Sequence, residues 1–385
     1  MSTIKDVAQA AGVSVATVSR ALRGVDRVRP QTRERIQRLA AEMDFVASPT
    51  AASLASGRTR VIAVVAPSRT RWYFATLVSG IDRRLRQHDH MVFLLDLEEE
   101  GDNPRRRLSQ AMLLKRVDGV IALNVPVDPG ELEVLDRLDL PLVAVGSPVP
   151  GRSLVRIDDV LTARVATEHL IGLGHTRIAF VGPMPDDIAQ TQAPLQRLRG
   201  FRETVANHGL SVPPGFIIDA GWTALSASRA VTGLLHAPDR PTAVMAASDE
   251  MAMGVLQAAR RLGLRIPNDL SVIGIDDHVL SEVMDLSTMR QDLQAQGELA
   301  AEMLIRRMGD PTLPAEIVTA PTELVLRGTT GSPGPDRTDV EDAWPTQDPP
   351  KRGEITDDQI PIQADIPSAS ALRSHNPRPL GGGTA

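Results

Sequence analysis

Residues 3–22 read TIKDVAQAAGVSVATVSRAL, and the rest of the chain is best read outward from them. Thr3 followed three residues later by Asp6 has the form of a capping box, with Asp in place of the usual Glu. Ile4, Val7, Ala8 and Ala11 then fall on one face at helical spacing. Gly12 stops that helix. Ser14 can cap a second helix, from about Val15 to Leu22, whose Val18 and Leu22 face inward. Two helices joined by a short Gly-containing turn form a helix-turn-helix. Pro30 starts a third helix with Ile36, Leu39, Ala40 and Met43 on its apolar side.

Charge agrees with that reading. Residues 1–60 hold ten Lys/Arg against five Asp/Glu, a net +5, which leaves −11 for the rest of a chain whose total is −6. A basic head on an acidic body suits a polyanion-binding module joined to something else, although a solvated charged face has the same count. The basic charge is nearly all arginine, because only Lys5, Lys115 and Lys351 are lysines. The chain has no cysteine, so thiolate metal sites, disulfides and cysteine nucleophiles are excluded. That absence fits a reducing cytoplasm. No apolar run reaches the roughly 18 residues of a membrane span, and the charged first residues do not read as a secretory signal.

Beyond the head, residues 46–60 are small and polar and read as a linker, with a short helix from Pro49 to Ser56. From residue 61 apolar runs alternate with amphipathic segments. The runs are 61–67, 91–97, 119–124, 140–146, 177–183, 216–220, 241–248 and 270–276. Continuous apolar strands between helices indicate parallel sheets covered on both faces. Two similar α/β domains with a cleft at the strand carboxyl ends fit the count. A (β/α)8 barrel also has eight such units, so the alternation is compatible with both. Residues 331–385 hold nine of the 29 prolines and nine acids, end in GGGTA, and read as a disordered tail.

Taken together, residues 3–22 resemble the N-terminal signature of the lac repressor (LacI/GalR) family of transcriptional regulators. The resemblance extends to Arg197-Leu-Arg-Gly-Phe201, Ser248-Asp-Glu-Met-Ala-Met-Gly254, Val272-Ile-Gly-Ile-Asp-Asp277, Glu168 to His175 and Leu326-Arg-Gly-Thr329. It implies an N-terminal all-α helix-turn-helix DNA-binding domain (1–46) and a hinge helix and linker (47–60). It then implies a periplasmic-binding-protein-like α/β domain of two doubly wound parallel-sheet subdomains (61–330), which favours two subdomains over the barrel. The tail, 331–385, falls outside it. The expected function is that of a homodimeric, cytoplasmic repressor. Its affinity for a pseudo-palindromic double-stranded DNA operator would be controlled by a small molecule, a carbohydrate by class. No cofactor, metal or membrane partner is expected.

Site residues follow from position and from the resemblance. Val15, Ala16 and Arg20 are expected to read base edges, Arg20 as a fork on guanine. Arg20 would otherwise meet a phosphate. Ser14, Thr17 and Ser19 suit phosphate oxygens, with capping as the alternative. Leu54 matches the hinge leucine that wedges into the minor groove. Ala47, Ser48 and Ala52 depart from the family's usual hinge residues, and Arg71-Trp72 replaces the more usual Asn-Pro of the cleft loop. Tyr73, Phe74, Arg197, Trp222, Asp249 and Asp276 are the expected effector contacts. Carboxylates, an arginine fork and aromatic faces together suit a polyhydroxylated ligand. Gln291 could line the crossover or touch ligand. The alternative for Asp249 is a helix N-cap, and for Trp222 a place in the core.

An enzyme or a free sugar-binding protein on the same scaffold is the alternative. No dinucleotide fingerprint, P-loop, nucleophile elbow or H-E-x-x-H motif is present to support an enzyme. His169 and His175 read as scaffold.

Overall fold

The structure is a computed structural model that describes residues 2–22, 28–45, 58–67, 70–97, 107–184 and 192–334. The expected hinge helix with Leu54, and residues 335–385 of the tail, lie outside these residues.

The head is three helices: α1 (Ile4–Ala11), α2 (Val15–Leu22) and α3 (Pro30–Glu42). The expected capping box is present, with Thr3 N–H donating to Asp6 at 2.7 Å. Gly12 ends α1 with φ 60°, a left-handed turn that glycine takes without steric cost. Val7, Ala11, Val18, Ala21, Ile36 and Ala40 form the shared core, with Leu22, Leu39 and Met43 packed around it. A guanidinium N–H of Arg35 donates to the Ala11 carbonyl, tying α3 to the end of α1.

The body contains two six-stranded sheets, which sets the barrel aside. In chain order its elements are β1 (Val61–Ala66), α4 (Trp72–Arg86), β2 (Met91–Asp96), α5 (Gln110–Leu113), β3 (Gly119–Leu123), α6 (Pro129–Arg137), β4 (Leu142–Val145) and β5 (Ser153–Ile157). Then come α7 (Asp159–Gly172), β6 (Ile178–Gly182), α8 (Gln192–Asn207), β7 (Ile217–Asp219), α9 (Ala224–His236), β8 (Ala243–Ala246), α10 (Asp249–Arg261) and β9 (Ser271–Asp276). The last are β10 (Ser287–Gln291), α11 (Leu293–Gly309), β11 (Ile317–Ala320) and β12 (Thr322–Val325).

The first sheet runs β11-β5-β4-β3-β1-β2, all parallel, and the second β12-β10-β9-β8-β6-β7, parallel except for edge strand β12. The chain therefore passes between the lobes three times: after β5, after β10 and between β11 and β12. All eight expected strands are present, and β5, β10, β11 and β12 are additional.

Each lobe has its own core, because β1, β3, β4, β6 and β8 are apolar along their whole length and β9 is buried throughout, with Val272, Ile273 and Ile275 in the core. Helix α11 follows the second crossover and packs on α4 in the first lobe, where Leu293, Ala300 and Leu304 join Leu77 and Ile81. Glycines set the spacing of the two helices. A Cβ on Gly80 would lie 2.2 Å from the Gln294 carbonyl, and one on Gly297 2.3 Å from that of Leu77.

Candidate functional site

The DNA-facing candidates sit on α2. Val15, Ala16 and Arg20 are exposed, while Val18 and Ala21 hold the helix to the core. Exposed side chains at the N-terminal end of a second helix are the arrangement that reads a major groove. Ser14 Oγ accepts from the Thr17 N–H at 3.2 Å and lies 2.9 Å from Thr17 Oγ1. The Ser14 hydroxyl thus caps the helix, the alternative expected for it beside phosphate contact.

The other candidates collect at the carboxyl ends of strands in both sheets, where doubly wound folds bind ligands. Tyr73 and Phe74 follow β1, Trp222 follows β7, Asp249 follows β8, and Asp276 ends β9. Arg197 reaches the same place from α8. Its Nε donates to Asp159 Oδ1 at 2.7 Å, and its Nη1 donates to the Ala247 carbonyl. Asp159 opens α7 just past the first crossover, so this buried pair ties two helices at the hinge. A guanidinium has five N–H donors, and these two bonds use two of them.

Asp276 is buried, with φ 125°, a backbone region that L-residues avoid and that recurs at functional sites. Burial pushes its carboxyl up to about 7, against the pull of Arg197. Its Oδ1 accepts from Gln291 Nε2 at 2.7 Å, and Gln291 Oε1 accepts from Gln296 Nε2 at 3.1 Å. Gln291 ends β10 at the second crossover, and Gln296 lies on α11. A hydrogen-bonded chain thus runs from the cleft through the crossover into the first lobe. Tyr73 completes the cluster: it is pushed up to about 12 by burial and then by the Asp276 charge, and its hydroxyl accepts from Asn124 Nδ2 at 3.1 Å.

Asp249 and Phe74 are placed differently from a simple ligand wall. Asp249 is fully buried and accepts from the His278 N–H (2.8 Å), Ser281 Oγ (2.7 Å) and Thr288 Oγ1 (2.6 Å). Its carboxyl therefore pins the turn that carries Asp276. Burial raises it to about 6. The N-cap of α10 is Ser248, not Asp249. A Cβ on Gly274 would lie 2.1 Å from Asp249 Oδ1, which explains a glycine inside β9. Phe74 is buried in the first lobe's core and meets Tyr73 edge-on, with ring centroids 5.1 Å apart. Trp222 is half-buried against the second lobe's core, with the Arg71 guanidinium 4.8 Å from its ring centroid.

Sequence reasoning did not single out Asp159 or Asn124, and gave Glu250 and His278 no role. Asp159 follows a strand that was not recognised. For Asn124 the available signal was its position after an apolar run. A cavity of about 470 Å³ lies elsewhere, where Thr59, Lys115 and Arg307 border the first lobe. Its Asp118 accepts from Thr59 N–H and Arg60 N–H, both at 2.7 Å, and so anchors the segment entering β1. The converging buried polar groups are in the cleft, not there.

Comparison with known proteins agrees with this geometry. Residues 3–48 match the description "Bacterial regulatory proteins, lacI family", and residues 167–330 match "Periplasmic binding protein-like domain". The ribose operon repressor of Escherichia coli K12 is 33% identical over 334 residues, 85% of this chain and 99% of that protein. The chain belongs to the lacI family. Catabolite control protein A of Priestia megaterium is 31% identical over 85% of this chain and 99% of its own. The lac repressor dimer bound to operator and an anti-inducer superposes with a TM-score of 0.74 at 27% identity, covering 86% of this chain and 99% of that one. This lacI-family member is a DNA-binding transcriptional regulator with a two-lobed α/β body. Its relatives are regulators, and the alternatives of an enzyme or a free sugar-binding protein are not favoured. No helix among the described residues is long and apolar enough to cross a membrane.

Proposed function

We propose that the protein is a cytoplasmic, non-enzymatic repressor that binds a pseudo-palindromic operator as a homodimer and responds to a sugar or sugar derivative in the cleft. The observation that carries the effector reading is the cluster of buried Arg197 and Asp276 with half-buried Tyr73, beside the carboxyl ends of strands from both sheets. An arginine fork donates to ring or hydroxyl oxygens, a carboxylate accepts from hydroxyls, and an aromatic face packs on C–H surface. The name of the ribose operon repressor supports a carbohydrate.

Arg197, Asp276, Tyr73 and Trp222 are assigned to the ligand, Asp249 and Phe74 to holding them in place. Val15, Ala16 and Arg20 are assigned to bases, Ser14, Thr17 and Ser19 to phosphates, and Leu54 to the minor groove. A homodimer is supported by apolar side chains left exposed on edge strand β2 (Met91, Phe93, Leu94) and after β9 (Val279, Leu280, Val283, Met284). The test is operator release or capture on addition of a panel of neutral monosaccharides and disaccharides, with wild type beside Arg197→Ala. The variant is expected to bind operator without responding; an unchanged response would remove the cleft assignment.

A further inference from the structure

The loop entering α4 departs from the family pattern at Arg71 and Trp72, and the same two side chains join the lobes. Arg71 Nε donates to Glu250 Oε2 at 3.3 Å, and its guanidinium covers the Trp222 ring at 4.8 Å. The Trp72 ring lies 4.4 Å from the His278 imidazole, tilted by 45°. Arg71 and Trp72 belong to the first lobe. Glu250 stands in the first turn of α10, Trp222 follows β7 and His278 follows β9, all in the second lobe. Two consecutive residues therefore grip three separate elements across the cleft. Arg71 and Glu250 are each only about a fifth exposed (20% and 21%), so salt screens the pair less than an open surface pair. Burial holds His278 below its ordinary value, so its imidazole packs as a neutral ring.

We propose that Arg71 and Trp72 form an intramolecular clasp that holds the two lobes together across the cleft and covers the Trp222 face an effector ring needs. The inference rests on the cleft being the effector site. Arg71 thereby becomes a specificity-determining residue. An entering ligand must replace the guanidinium on the indole face and also at Glu250. A neutral ring with a C–H face and outward hydroxyls does both. A sugar phosphate or sugar acid in the guanidinium's place would instead set its charge beside Glu250, which that displacement leaves without Arg71. The clasp thus selects neutral polyhydroxylated rings.

The absence of cysteine makes the test clean, because two labels can be introduced without background. Glu133→Cys on α6 and Arg229→Cys on α9, both exposed, place one spin label on each lobe of the full chain. Labelled protein is diluted with unlabelled protein, and the interlobe distance is measured by pulsed electron paramagnetic resonance without sugar. One narrow, short distance is expected. Arg71→Ala with Trp72→Ala should broaden it toward longer distances. Glu250→Gln, nearly isosteric and so little threat to folding, should shift it the same way by a smaller step. An unchanged distribution in all variants would overturn the clasp. No effector enters this measurement, so its failure is distinct from failure of the cleft assignment, which the Arg197→Ala response tests. Tighter binding of ribose 5-phosphate than of ribose by wild type, reversed in Arg71→Ala, would also overturn the selection argued here.

Discussion

Asp276 gathers the chemistry of the cleft into one side chain. Burial raises its carboxyl to about 7, so its ionised fraction grows as pH rises through neutrality. An ionised carboxylate accepts hydroxyl donors better than a protonated one. Effector affinity should therefore rise between pH 6 and pH 8 in a calorimetric titration. Asp276→Asn should flatten that dependence; an equal slope in the variant would place the titration elsewhere. Stability carries the opposite sign. The native state keeps a proton that the unfolded chain loses near pH 4, so this group's contribution falls as pH rises from about 4 to about 7. Gly274→Ala should cost about 1–3 kcal/mol in urea unfolding, because its Cβ would meet the Asp249 carboxylate. A cost near zero would mean that Asp249 can move and is no fixed pin. At this scale the sequence pointed to Arg197, Asp249 and Asp276 through motif resemblance. It could not show that both Asp249 oxygens are spent on His278, Ser281 and Thr288, because those partners come from a loop and a strand 29–39 residues away.

Among the elements, α2 carries two predictions, one for recognition and one for stability. Arg20→Ala should relax preference at one operator position by roughly 1–3 kcal/mol in a binding-site selection. A uniform loss at every sequence would assign Arg20 to a phosphate. Ser14→Ala removes the cap on Thr17 and should lower the stability of the head by about 1 kcal/mol, read as a shift in its thermal unfolding. Strands β1, β3, β4, β6, β8 and β9 were legible because their apolar runs are continuous. Strand β10 was not, because it buries Ser287 and Thr288: the Ser287 N–H donates to Thr329 Oγ1, the Ser287 hydroxyl pairs with that of Thr330, and Thr288 donates to Asp249. Strand β5 carries Arg156 in a short run, and β11 and β12 are half-exposed edges. Polar burial and edge position erase the pattern that marks a strand.

At the scale of the whole molecule, three crossovers join the two lobes that border the cleft. Asp159 and Gln291 stand at two of them, and Thr162 meets Thr322 at 3.1 Å beside the third. A ligand that changes how the lobes meet must act on these segments, and only its unequal affinity for the two lobe arrangements can shift operator binding. The helix-turn-helix, the lobes and their order were legible in the sequence. The clasp was not, because Arg71 and Trp72 showed only as departures from a pattern, and their partners Glu250, Trp222 and His278 are brought to them by the fold. Deletion of residues 1–60 should abolish operator binding and leave effector binding intact, which separates the two activities. The most direct measurement is a pull-down of genomic DNA fragments by the purified full chain at about physiological salt. The account predicts recovery of a few pseudo-palindromic sites. Weak, salt-sensitive and sequence-indifferent recovery would contradict it and reduce the basic head to an electrostatic patch.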